Sequence, residues 1–119
     1  MSKTENILDF INAGIHAENL RQKAIANNIA NHETEGYRRL DIKFEEILAK
    51  TLDGDDSVDM DDIGSLLYSP NETPIKENGN DVSMEHEVGQ LIENATKYRA
   101  YVRILNKKFQ QIASAMDVR

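Results

Sequence analysis

The chain has 119 residues, with 14 Lys and Arg against 21 Asp and Glu, and a net charge of −7. That length suits one domain, and that charge opposes binding to nucleic acid or anionic lipid, which need clustered cations. With no cysteine there is no disulfide framework, thiol nucleophile or Cys-ligated zinc. Hydrophobic residues make up 39% and Trp is absent, so the core is modest. No apolar run approaches the roughly 20 residues of a membrane span, so no direct membrane insertion is expected. The first residues carry Glu5, Asp9 and Asn12 where a signal peptide needs an unbroken apolar stretch. Taken alone, this predicts a cytoplasmic protein, or one exported without a cleaved signal.

In chain order, residues 6–31 have helical periodicity. Asp9, Asn12, His16, Asn19 and Lys23 form one narrow polar stripe. Phe10, Ala13, Ala17, Leu20 and Ala24 lie opposite, flanked by Ile7, Ile11, Ile25 and Ile29. A helix that is apolar or small around most of its circumference packs on several sides. Asn28 and Asn31 fall on its apolar side. Either they cap the helix C-terminus in the left-handed conformation, or their amides fix register between helices, as a buried Asn does in a coiled coil. Gly36 then supplies a sharp turn. Leu40, Ile42 and Phe44 alternate with Asp41 and Lys43, an extended signal, and Phe44, Ile47, Leu48 and Thr51 switch to helical spacing up to about Leu52.

Residues 53–81 change character. Asp53, Asp55, Asp56, Asp59, Asp61 and Asp62 crowd together, and Pro70, Pro74 and Gly79 follow. Like charges at this density resist compaction, so a flexible acidic loop is expected, with a brief ordered piece around Ile63 to Tyr68. Asp81 or Ser83 caps the next helix. That helix carries an unbroken 4,3 repeat: Met84, Val88, Leu91, Ala95, Tyr98, Val102, Leu105, Phe109, Ile112 and Met116. Such a heptad seam is built to lie along another helix. The partner is either the N-terminal helix of the same chain or a helix of another. Acidic Glu85 and Glu87 near its start and basic Arg99, Arg103, Lys107 and Lys108 later suit the helix dipole, and Glu93 and Lys97 form an i,i+4 pair. A two-helix hairpin of this size buries little surface per residue and is marginal alone.

The candidate chemical motifs fail on spacing. Read as a calcium loop from Asp53, the acidic run has Val58 where glycine belongs and Gly64 where a bidentate Glu is needed. The stretch His86-Glu87-Val88-Gly89-Gln90 lacks the second histidine of a zinc-protease helix. His16, His32 and His86 have no ligand spacing. The sequence predicts neither enzyme nor cofactor.

The stretch Ala26-Asn27-Asn28-Ile29-Ala30-Asn31-His32-Glu33-Thr34-Glu35-Gly36-Tyr37 resembles the N-terminal signature of bacterial flagellar rod and hook proteins, A-N-N-[IL]-A-N-x-x-T-P-G-Y. Glu35 departs from the usual proline, which would leave the turn resting on Gly36. Residues 80–88, Tyr98-Arg99-Ala100-Tyr101 and Leu105-Asn106-Lys107-Lys108-Phe109 look like the C-terminal half of the same family. The short length, Phe44-Glu45-Glu46 and the closing Lys-Lys-Phe resemble its proximal rod members.

The resemblance implies an all-α fold. Long N- and C-terminal helices pack as an antiparallel coiled-coil hairpin in one domain: helix 1–31, turn and short helix 32–52, acidic loop 53–81 and coiled-coil helix 82–119. It implies a structural subunit of the periplasm-spanning rod, passed through the flagellar type III export apparatus without a cleaved signal. Its partners would be copies of itself, other rod proteins and the adaptor at the rod base. The seam and Ile7, Phe10, Ile11, Leu20, Ile25 and Ile29 would pack between subunits, while Asn27, Asn28, Asn31, Thr34, Gly36 and Tyr37 set bend and register. A rival reading is a cytoplasmic helical adaptor or flagellar export chaperone, which has no need of the Asn-rich signature.

Overall fold

The computed structural model describes residues 3–52 and 66–117. Helix α1 spans Lys3–Ala30, strand β1 Asp41–Ile42, helix α2 Phe44–Leu52, strand β2 Leu67–Tyr68 and helix α3 Met84–Asp117. The two long helices run antiparallel, because Asn28 near the end of α1 meets Glu87 in the first turn of α3, while Glu18 meets Asn94. The molecule measures 68 × 26 × 19 Å, an elongated hairpin. The expected all-α hairpin therefore holds, with one small sheet added: β1 pairs antiparallel with β2, Ile42 opposite Leu67.

Local chemistry accounts for the element ends. At α3, the Ser83 hydroxyl accepts from the backbone N–H of His86 at 3.3 Å, so Ser83 is the cap and Asp81 is free for another task. Helix α2 has Glu45 and Glu46 in its first turn and Lys50 in its last, the sense favoured by the dipole. Arg21 on α1 lies over the Phe44 ring, 5.0 Å from its centroid, and anchors the start of α2.

The core sits where α2 and the sheet cover the middle of α1. It comprises Ala17, Leu20, Ala24, Ile42, Ile47 and Leu66, with Phe44 and Leu67 packed against it. The alanines let α2 approach α1 closely, and Ile42 and Leu66 are brought in by the strand pair.

The segment expected as a loose acidic loop divides in two. The clustered aspartates, the calcium-loop register and most of the Ile63–Tyr68 piece lie outside the described residues. Residues 66–81 are tied down, contrary to expectation. Arg38 donates to the Asn71 side chain at 2.7 Å. Lys76 donates through its backbone N–H to the Asn80 carbonyl at 2.8 Å and through Nζ to the His32 carbonyl at 2.9 Å. Asn80, Asp81 and Val82 are buried. Charge density predicted repulsion, but it ends at Asp62, and the polar residues that follow find specific partners.

Ile47 is fully buried at the centre of this core. Ile47→Ala should cost about 2–5 kcal/mol, read as a lower urea midpoint with an unchanged slope.

Candidate assembly site: a polar latch and an apolar stripe

The chain leaving α1 is organised by one amide. Asn28 is wholly buried. Its Nδ2 donates to the Leu40 carbonyl at 2.8 Å and to Glu87 Oε2 at 3.2 Å. Its Oδ1 accepts from the Tyr37 hydroxyl at 2.8 Å and the Leu40 backbone N–H at 2.9 Å. All four hydrogen-bonding positions of the amide are used, joining α1, the turn and α3. This is the register reading of Asn28; the capping reading fails, because the left-handed residues among those described are Asn71, Gly36 and Gly79. Asn31 turns back on its own helix, donating to the Asn27 carbonyl at 2.8 Å and accepting from Thr34 Oγ1 at 3.1 Å. Asn27 donates to the Tyr37 hydroxyl at 2.7 Å.

The turn does not rest on Gly36 alone. Gly36 has φ +73° and donates to the Asn78 carbonyl at 2.8 Å. Gly79, at φ +81°, lies against it so closely that a Cβ there would stand 3.3 Å from Gly36 Cα. Asn80, buried beside them, donates to the carbonyls of Asn31 at 2.8 Å and Thr34 at 2.7 Å. The turn is thus held by a second loop docked on it, whatever stands at position 35.

Two buried ion pairs complete the latch. Arg39 Nε donates to Glu87 Oε1 at 2.7 Å, with both side chains almost fully buried. Asp81 accepts the Arg39 backbone N–H at 2.6 Å on Oδ1 and faces Arg38 Nε at 3.3 Å on Oδ2. Burial raises the Tyr37 hydroxyl above its ordinary pKa of 10.0, and the nearby Glu87 and Asp81 carboxylates add to the rise. The hydrogen bond from Asn27 and the charge of Arg39 act in the opposite sense.

Farther along the hairpin, the stripe of α3 that meets α1 is not the apolar seam but one centred on Glu87, Asn94 and Tyr101, spaced by sevens. Asn94 Nδ2 donates to the Glu18 carbonyl at 2.7 Å and to Glu18 Oε2 at 2.8 Å. Glu18 Oε1 accepts from Arg21 at 3.0 Å. Tyr101 packs against Gly14 so tightly that a Cβ there would come within 2.5 Å of the ring.

The expected seam residues fall on either side of this stripe. Leu91, Ala95, Val102, Leu105 and Ile112 are half-buried, while Met84, Val88, Tyr98, Phe109 and Met116 are exposed, Phe109 by 53% and Met116 by 76%. Ile92 and Ile104 are exposed beside them. On α1, Ile11, Leu20 and Ile25 are buried, Ile29 is half-buried, and Ile7 and Phe10 are exposed. Sequence reasoning missed Glu18, Arg39, Asn80, Asp81, Glu87 and Asn94 as interior residues. The available signal was the second heptad, Glu87–Asn94–Tyr101, in phase with a bulky aromatic. At the exposed Glu93–Lys97 pair, 3.0 Å apart, the hydrogen bond from Lys97 holds the Glu93 carboxyl below its usual pKa.

Glu87→Leu should destabilise the chain by about 3–5 kcal/mol, because it strands a buried Arg39 charge. The double change with Arg39→Met should cost less than the single one. Chemical denaturation of the three proteins checks the sign. Tyr37 makes a second prediction. A folded-state pKa above the unfolded value contributes stability that is complete below about pH 10 and lost as pH rises through the folded value. Unfolding midpoints should therefore fall above about pH 10, and Tyr37→Phe should remove that component of the fall while lowering stability at neutral pH.

Comparison with known proteins places the likeness on these same elements. The family described as flagella basal body rod protein matches residues 13–38, from the buried face of α1 through the Gly36 turn. The "Flagellar basal body rod protein FlgB" of Bacillus subtilis is 24% identical over 98% of this chain and 97% of its own length. The protein of that name from Proteus mirabilis is 27% identical over 98% of each, and that from Borreliella burgdorferi 29% over 94% and 96%. The family match covers the Asn28 latch and its turn, and the relatives align along both long helices, so the chain belongs to the flagella basal body rod protein family.

Proposed function

We propose that the protein is a structural subunit of the flagellar basal-body rod that assembles with copies of itself and with other rod proteins. In this reading it transmits torque from the motor toward the hook. The observation that carries the reading is the division of α3 into two faces. The polar face of Glu87, Asn94 and Tyr101 is committed to α1, which leaves Met84, Val88, Phe109 and Met116 exposed along more than 30 residues of helix. Apolar side chains at heptad spacing on an exposed helix suit contact with neighbouring helices. Torque then passes through side-chain packing, with the latch keeping each hairpin from shearing along its own axis.

The remaining expectations follow from the same reading: a rod-base adaptor as neighbour, passage through the flagellar type III export apparatus, and residence in the periplasm-spanning rod. Among the described residues no helix is long and apolar enough to cross a membrane. The Asn28–Asn31–Gly36 signature favours a rod subunit over an adaptor or export chaperone, because it builds a turn that fixes one hairpin register.

The test is complementation of a deletion strain with Phe109→Asp and, separately, Val88→Asp. Both positions are exposed, so the purified chains should keep their helix content and unfolding midpoint within about 0.5 kcal/mol of the parent. Motility and rod-containing basal bodies should be lost. Normal motility with either variant would overturn the assignment of this face.

A further inference from the structure

Beside the core, Leu20, Ala24, Ile42, Ile47 and Leu66 line an apolar cleft of about 290 Å³, with Lys23 at its rim. At the other end of the same helix, Ile7 and Phe10 stand exposed by 40% and 48%, next to Asp9. Neither Lys23 nor Asp9 has an ion-pair partner among the described residues. We propose that the cleft receives Phe10 and Ile7 of a second copy of this chain, with Asp9 of that copy pairing with Lys23, in a head-to-tail contact. This rests on the assembly reading above and names one surface of it.

Three observations favour a second copy as the occupant. The cleft is too small for a folded partner but fits a few apolar side chains. The exposed pair carries an acidic neighbour and the cleft a basic rim, so charge and apolar surface match together. A chain cannot satisfy its own cleft with its own Phe10, because both features sit on one continuous helix about 20 Å apart at about 1.5 Å per residue. The contact joins two different patches and is therefore heterologous. It propagates into an open array rather than closing as a symmetric dimer, which is the geometry a rod subunit needs.

The absence of cysteine makes the test direct. Full-length chains carrying Asp9→Cys and Lys23→Cys are mixed and treated with a short bis-maleimide. Sedimentation is followed in parallel on the parent chain, and the same pairs are probed in basal bodies from complemented cells. The mixed cross-link should exceed either self-pair. Adding Phe10→Ser to the Asp9→Cys chain should lower it about tenfold or more, the loss expected when an aromatic side chain no longer leaves water. Reversing the charges singly, Asp9→Lys or Lys23→Glu, should weaken association, and combining them should restore it. Self-pairs in excess, or a mixed cross-link indifferent to Phe10→Ser, would overturn this contact while leaving the assembly reading intact. No association in solution and no cross-link in basal bodies would overturn both.

Discussion

The buried amide of Asn28 is the constraint on which the hairpin depends. It touches the backbone of Leu40 on both its donor and acceptor sides, and it reaches across to Glu87 on α3. An amide with all its positions filled tolerates no slippage, because a shift of one helical turn would leave buried donors and acceptors unpaired at about 1–3 kcal/mol each. Arg39 and Asp81 extend the same logic with charge. The α1–α3 contact is specified more by polar matching than by apolar bulk, which explains how two helices with few large interior side chains take one register.

That choice has a consequence for the rest of the surface. An ordinary coiled-coil hairpin would have buried the 4,3 seam of α3 against α1. Here Asn94 and Glu18 occupy the intrachain stripe, with Tyr101 pressed onto Gly14. The seam is rotated partly outward, and Met84, Val88, Phe109 and Met116 remain in water. A subunit that must both fold and assemble needs two distinguishable faces on the same helix. The polar face resists use by a neighbour, since burying Glu87 or Asn94 without its own partner is costly, and the apolar face is left for the neighbour.

Much of this was legible in the sequence where periodicity or capping chemistry decides locally. The boundaries of α1, α2 and α3, the extended pair at Asp41–Ile42, the Ser83 cap and the Glu93–Lys97 pair all follow from residue spacing. The signature around Asn28 and Gly36 marked the turn. The interior role of Glu18, Glu87 and Asn94 did not show, because charged and amide side chains on a helix ordinarily face water, and only tertiary partners distant in the chain reverse that. The docking of residues 66–81 was hidden for a related reason. Its hold comes from Asn80 reaching carbonyls of Asn31 and Thr34, and no local pattern announces such bonds.

The most direct test of this account is amide hydrogen exchange on the purified full-length chain, resolved along α1 and α3. If the latch organises the hairpin, protection should be greatest around Asn28, Leu40 and Glu87–Asn94 and should fall steadily toward Phe109 and Met116, where the apolar stripe lacks its neighbour. Equal protection along the whole of α3, or greater protection at its C-terminal end than at Glu87, would contradict it.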